Sequence, residues 1–166
     1  MIIYDAARWV DSTSLSRVIR EGTYYFAVIE CFHVLSLTIV MGAIAAVDLR
    51  LLGISARNIP VRKYCSQLLP VTWTAFLISV VTGTLLFISN SSHYIADFPF
   101  QMKMLLMALA GMNMLVFHRF IWETVDQWGN RISPPPAARI AGGLSLSLWL
   151  CVIFFGRWIG FSVGVS

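Results

Sequence analysis

Residues 24–52 read YYFAVIECFHVLSLTIVMGAIAAVDLRLL, an almost unbroken apolar run longer than the roughly 20 residues that a helix needs to cross a bilayer. Three more such runs follow, at about Leu68–Asn90, Phe100–Trp122 and Ile140–Val163. Together the four fill most of the 166 residues. A chain of 18.6 kDa that is 58% hydrophobic and 12% charged, with a mean hydropathy of +0.76, has too little polar surface for a water-soluble domain. The expected fold is all-α, an integral-membrane four-helix up-and-down bundle spanning residues 23–166, and the lipid bilayer is its first partner.

Local signals support these spans. Gly53 ends the first, Pro70 is expected within the first turn or so of the second, Pro99 precedes the third, and Pro134, Pro135 and Pro136 break the chain before the fourth. Residues 1–22 have a different character. Trp9, Val10, Leu15, Val18 and Ile19 fall near one helical face among Asp5, Arg8, Asp11, Arg17 and Arg20, which predicts an amphipathic helix lying in the membrane interface. No short hydrophobic region with a small-residue cleavage site precedes the first span, so the N-terminal segment is expected to be retained. The first connection carries Arg50, Arg57, Arg62 and Lys63 and the third carries Arg119, Arg131 and Arg139, whereas the second has only Lys103 at its far end. The positive-inside tendency then places the first and third connections in the cytoplasm and both termini in the periplasm.

An ionisable side chain inside a span costs several kcal/mol unless it is paired, hydrated or ligated, so such residues are the places to look for function. Glu30 and His33, three apart in the first span, share a helix face and lie roughly 10–15 Å below the surface on the side of the termini at 1.5 Å per residue. Lys103 and Arg157 approach the same half from the third and fourth spans, and His93, Tyr94 and Asp97 in the second loop can act as a lid. Several readings of this constellation stay open. In one, Glu30 is an ion-pair partner of Arg157 or Lys103 that fixes helix register, with His33 bonded to a backbone carbonyl. A haem b would use a neutral His33 imidazole on iron, with Arg157, Trp158 and Lys103 around its propionates. Copper would take His33 with Glu30 or His93. A quinone head would use His and Arg donors in an aromatic pocket of Phe32, Trp149, Trp158 and Phe161. A second polar group, His118 and Arg119 with Asp48 and Arg50, is expected at the opposite face as interfacial Asp–Arg pairing or, for His118, as a second ligand. His33 and His118 differ in depth by roughly 13 Å at helical rise, which disfavours one haem held between them in a monomer. His93, a Met41–His118 site, or a second His33 in a symmetric dimer are the alternatives.

Other chemistries lack support. Cys31, Cys65 and Cys151 have neither metal spacing nor a disulfide pattern, and Met102, Met104, Met107, Met112 and Met114 do not form one column. Glu30-x-x-His33 has di-iron spacing, but there is no second copy and no other mid-span glutamate. Phosphate-binding, nucleophile-elbow and metalloprotease motifs are missing, so catalysis by this chain alone is not expected. The net charge of +4 resides in loop arginines and gives no support for nucleic-acid binding.

Phe32-His33, Val47-Asp48-Leu49-Arg50-Leu51-Leu52-Gly53, Thr82-Gly83 with Phe87, Phe100-x-x-Lys103, Asn113, Phe117-His118 and Gly156-Arg157-Trp158-Ile159 together resemble a bacterial family of small four-helix inner-membrane proteins of unknown function. The likeness covers nearly the whole chain and implies a bacterial inner membrane and a four-helix fold. More distantly the chain is similar to CopD-type copper-resistance membrane proteins and to small cytochrome-b membrane subunits. The expected function is a redox or metal-binding membrane subunit, with haem b first and copper second, passing electrons between the quinone pool and a periplasmic partner. The alternative is a cofactor-free structural subunit or a carrier of copper or another small solute. Three histidines leave every ligand scheme short of partners, which points to a homo-oligomer or a larger complex.

Overall fold

The computed structural model describes residues 2–128 and 134–163. Among them the chain is helical throughout, without a strand: α1 (Ile2–Asp11), α2 (Ser14–Glu21), α3 (Tyr25–Leu51), α4 (Val61–Ser89), α5 (Ser91–Ala96), α6 (Phe98–Phe120), a 3-10 turn at Trp122–Thr124, α7 (Val125–Trp128) and α8 (Pro136–Val163). Helices α3, α4, α6 and α8 are each long and apolar enough to cross a membrane. They alternate in direction, so α3 starts and α8 ends at one face, called here the terminal face. Arg131 lies outside the described residues.

The spans begin and end differently from the sequence expectation. Helix α4 starts at Val61, capped by Pro60, rather than near Leu68. Pro70 is therefore well inside α4 and not in its first turn. A polar first stretch, with Arg62, Lys63 and Gln67 exposed, carries the helix beyond its apolar run, and hydropathy alone cannot show such an extension. Similarly, α8 begins at Pro136 and α6 at Phe98. The interfacial segment is two helices rather than one. The chain breaks at Ser12 and Thr13, where the Thr13 side chain caps α2 by accepting from the Ser16 N–H. The break changes the expected face: Ala7, Ser16 and Ile19 turn inward, while Trp9, Leu15 and Val18 are exposed.

Packing is tight along three sides of the bundle and loose on the fourth. Helix α3 packs on α4, α8 packs on α6, and α3 packs on α8. No described Cα of α4 comes within 8 Å of one in α6. Small residues set the closest approach: a Cβ built on Gly142 of α8 would lie 3.0 Å from Leu51 Cβ and 3.1 Å from the Asp48 carbonyl oxygen of α3.

Each end of the bundle is covered. At the terminal face the Asp11 carboxylate accepts from the Ser91 N–H (2.6 Å), the Ser92 N–H (3.0 Å) and the Ser92 hydroxyl at the start of α5. Ser16 Oγ and Arg20 Nη1 donate to the Ser89 carbonyl (3.3 and 3.2 Å). Beneath them Phe87, Tyr94 and Phe100 pack ring on ring, with centroids 5.6–6.3 Å apart. At the opposite face Leu51, Val61, Cys65, Phe117, Val125, Trp128, Ala138 and Ala141 form an apolar plug. Arg62 fastens it with a two-pronged pair to Asp126 (2.7 and 2.9 Å) while lying over Trp122 at 5.2 Å.

Candidate functional site

His33 is fixed by a specific seat on α4. Its Nδ1 is 3.1 Å from the Ser79 carbonyl oxygen and 3.0 Å from Thr82 Oγ1. A carbonyl only accepts, so Nδ1 carries the proton and donates it, and Nε2 is left with its lone pair. The hydroxyl of Thr82 donates in turn to the Ile78 carbonyl at 2.7 Å, which leaves its own lone pairs toward His33. The ring rests on bare backbone at Gly83: a Cβ there would lie 2.9 Å from His33 Cε1 and 3.4 Å from Nδ1. Ser79 and Thr82 sit three apart on α4 with Gly83 next, so one helical face supplies acceptor, hydroxyl and notch. The sequence reading named Thr82 and Gly83 within the family resemblance; a Ser-x-x-Thr-Gly pattern inside an apolar span was the available signal for the seat.

Lys103 approaches from α6. Its charge acts on His33, and its stem and Nζ lie 3.8 Å from the position a Cβ would take on Gly156 of α8. It is half-buried. Among the described residues its ammonium forms no ion pair and no hydrogen bond. His33 and Lys103 thus combine a nitrogen lone pair with an unneutralised cation, about 8–12 Å in from the terminal ends of their helices at 1.5 Å per residue.

The remaining expected members are distributed around this pair. Glu30 is exposed and pairs with neither Arg157 nor Lys103 among the described residues. It does lie close to the roof, because burial first, and then the negative charges of Glu30 and Asp97, push the Tyr94 phenol above its usual pKa. His93 is also in the roof, against Tyr94, with its Nε2 enclosed and unpartnered among the described residues. Arg157 points outward over Phe161 at 5.5 Å. Trp158 is half exposed and stacks on Phe155 at 6.2 Å.

At the opposite end His118 is exposed, bonded through Nδ1 to the Met114 carbonyl (3.0 Å) and stacked on Trp122. It lies roughly 18 Å further along the bundle axis than His33 by helical rise, so the two do not converge. Arg119 pairs at 3.9 Å with Glu123 in solvent rather than with Asp48. Asp48 is enclosed and makes no ion pair among the described residues. Arg50 turns away to donate from Nε to the Ile59 carbonyl at 3.1 Å. No three of His, Cys, Asp and Glu gather into a metal-holding group among the described residues, so the site offers a metal one well-oriented nitrogen.

Neither a curated protein nor a solved structure matches the chain. One family model matches residues 7–162, nearly the full length and all four membrane-crossing helices, and the chain therefore belongs to the family of unknown function DUF6644.

Proposed function

We propose that the protein is a redox subunit of the bacterial inner membrane that holds haem b on His33 Nε2 and passes electrons between the quinone pool and a partner at the terminal, periplasmic face. The observation that carries this reading is the His33 tautomer. An imidazole whose Nδ1–H is committed to a backbone carbonyl presents a basic, oriented Nε2, the arrangement by which histidines are held as metal ligands. Lys103 supplies a cation within the low-dielectric interior for a propionate, which would otherwise be costly to place there.

The test is an oxidised and dithionite-reduced visible spectrum of the detergent-purified protein, with metal analysis of the same sample, for wild type and His33→Ala. A reduced b-type α-band that disappears in the variant, while the protein still inserts and elutes as wild type, is the expected result. A wild-type protein without haem, or full occupancy in His33→Ala, overturns the assignment.

A second reading places a quinone head between the same two groups. The Lys103 ammonium, without an ion pair or hydrogen bond among the described residues, favours it, since one oxygen of a quinol head would accept from Nζ while an O–H of the same head donates to His33 Nε2. The loosely packed side between α4 and α6 would give such a molecule a way in from lipid, the phase in which it travels. Quenching of tryptophan fluorescence by a short-chain quinone in haem-free protein, lost in Lys103→Met, would select this reading.

A further inference from the structure

The bundle encloses a second ionisable group that the His33 reading does not use. Asp48 is 4% exposed, and its Oδ2 is shut off from solvent with no donor among the described residues. Each neighbouring element limits what can reach it. On α8, the Ser145 hydroxyl is the polar side chain that interacts with the carboxyl, and the approach at Gly142 seals the flank. On α4 the facing titratable group is Cys65, itself buried. On its own helix Arg50 is engaged at the Ile59 carbonyl. Among the described residues no charged group of α6 or α8 forms an ion pair with it. The apolar plug of Leu51, Cys65, Phe117, Val125 and Trp128 lies between this level and the face opposite the termini.

An ionised carboxylate so placed keeps one oxygen bare in a low-dielectric interior, which is strongly disfavoured. The neutral acid fits: its O–H can be given to the Ser145 hydroxyl, and the bare oxygen becomes a carbonyl, which is far cheaper to leave unpartnered. One carboxyl and one hydroxyl are too few oxygens to replace the hydration shell of a metal cation. We propose that Asp48 is a proton-binding site: the resting protein holds one proton on this carboxyl, shared with the Ser145 hydroxyl. The inference is independent of any cofactor, because His33 and Asp48 are separated by roughly 22 Å along α3 at helical rise.

Infrared difference spectra of the full-length protein in nanodiscs, between H2O and D2O at neutral pH, test it. Wild type should show the C=O stretch of a protonated carboxylic acid, downshifted in D2O, missing from Asp48→Asn and retained in Glu30→Gln. Ser145→Ala should shift the same band by altering the hydrogen bond, and this variant serves if Asp48→Asn does not fold. A wild type with no protonated-acid band, a band that persists in Asp48→Asn, or a Ser145→Ala spectrum identical to wild type overturns the proposal. So does bound sodium that is lost in Asp48→Asn.

Discussion

Gly83→Ala tests the seat of His33 with one methyl group. The added Cβ would stand 2.9 Å from His33 Cε1 and 3.4 Å from Nδ1, closer than carbon atoms pack. Because the contacting atoms belong to a rigid ring bonded at Nδ1, relief requires either a tilt of the imidazole off the Ser79 carbonyl or separation of α3 from α4. Overpacking of this kind costs about 1–3 kcal/mol. If that cost falls on the oriented ring, affinity for a group bound at Nε2 drops roughly five- to hundredfold, at 1.4 kcal/mol per factor of ten. Gly111→Ala is the matched control: the same change in a spanning helix, with nothing within 4 Å of the new Cβ. It should be neutral, or gain up to about 1 kcal/mol from helix propensity. The assay is haem titration of both variants followed at the Soret band, with thermal unfolding in the same detergent. Equal haem affinity in Gly83→Ala and Gly111→Ala would refute the claim that the notch orients the ligand.

Other perturbations separate the remaining contacts. Lys103→Met breaks no ion pair among the described residues, so its melting temperature in detergent should match or exceed that of wild type while anion or quinone binding falls; marked destabilisation would reveal a partner for Nζ. Asp11→Asn should loosen α5, on the order of 1 kcal/mol for a lost end-capping carboxylate, seen as faster amide exchange at residues 91–96. Burial acts against the charged form of Asp11, yet the hydrogen bonds from Ser92 and Ser91 and the charge of Arg20 outweigh it and hold the pKa below the usual carboxylate range. Its contribution is therefore complete above about pH 4, the unfolded value, and is lost as pH falls through the folded one. Wild type and Asp11→Asn should exchange alike in strong acid and differ at neutral pH. Arg62→Ala should free α7 and expose the 121–128 segment to protease, and high salt should reproduce part of that effect on wild type, since the pair with Asp126 is solvent-exposed.

The four spans were legible because bilayer thickness imposes a length that composition reveals directly. Their ends were not, since α4 runs through Arg62 and Lys63 before its apolar stretch begins and α8 starts at Pro136. Helix propensity and capping, rather than hydropathy, decide those boundaries. The break at Ser12 and Thr13 was hidden for a related reason: both halves are amphipathic, and one period fits across the break. His33 and Lys103 were found because ionisable residues are rare in lipid. A backbone carbonyl as the partner of His33 was among the expectations and is found at Ser79, but which carbonyl was not legible, because Ser79, Thr82 and Gly83 are ordinary in a spanning helix until α3 is laid against them. Glu30 and Arg157 share the expected depth with His33 but not its direction, and periodicity across separate helices cannot supply relative rotation.

That rotation also bears on stoichiometry. Within one chain, Nε2 of His33 is the only imidazole nitrogen at its depth in the spans; His118 lies at the far end and His93 in the roof, behind Tyr94. Within one chain His33 is thus the one imidazole that would hold an iron at this depth. A bis-histidine spectrum would require a second imidazole from outside the single-chain geometry. Few residues of the four spanning helices are buried within the chain, which leaves broad helix faces for lipid or for a second copy. In a symmetric dimer the second ligand is another His33 at equal depth by construction. The presence or absence of bis-histidine ligation in a bound haem would thus report whether the site is completed between two chains or within one.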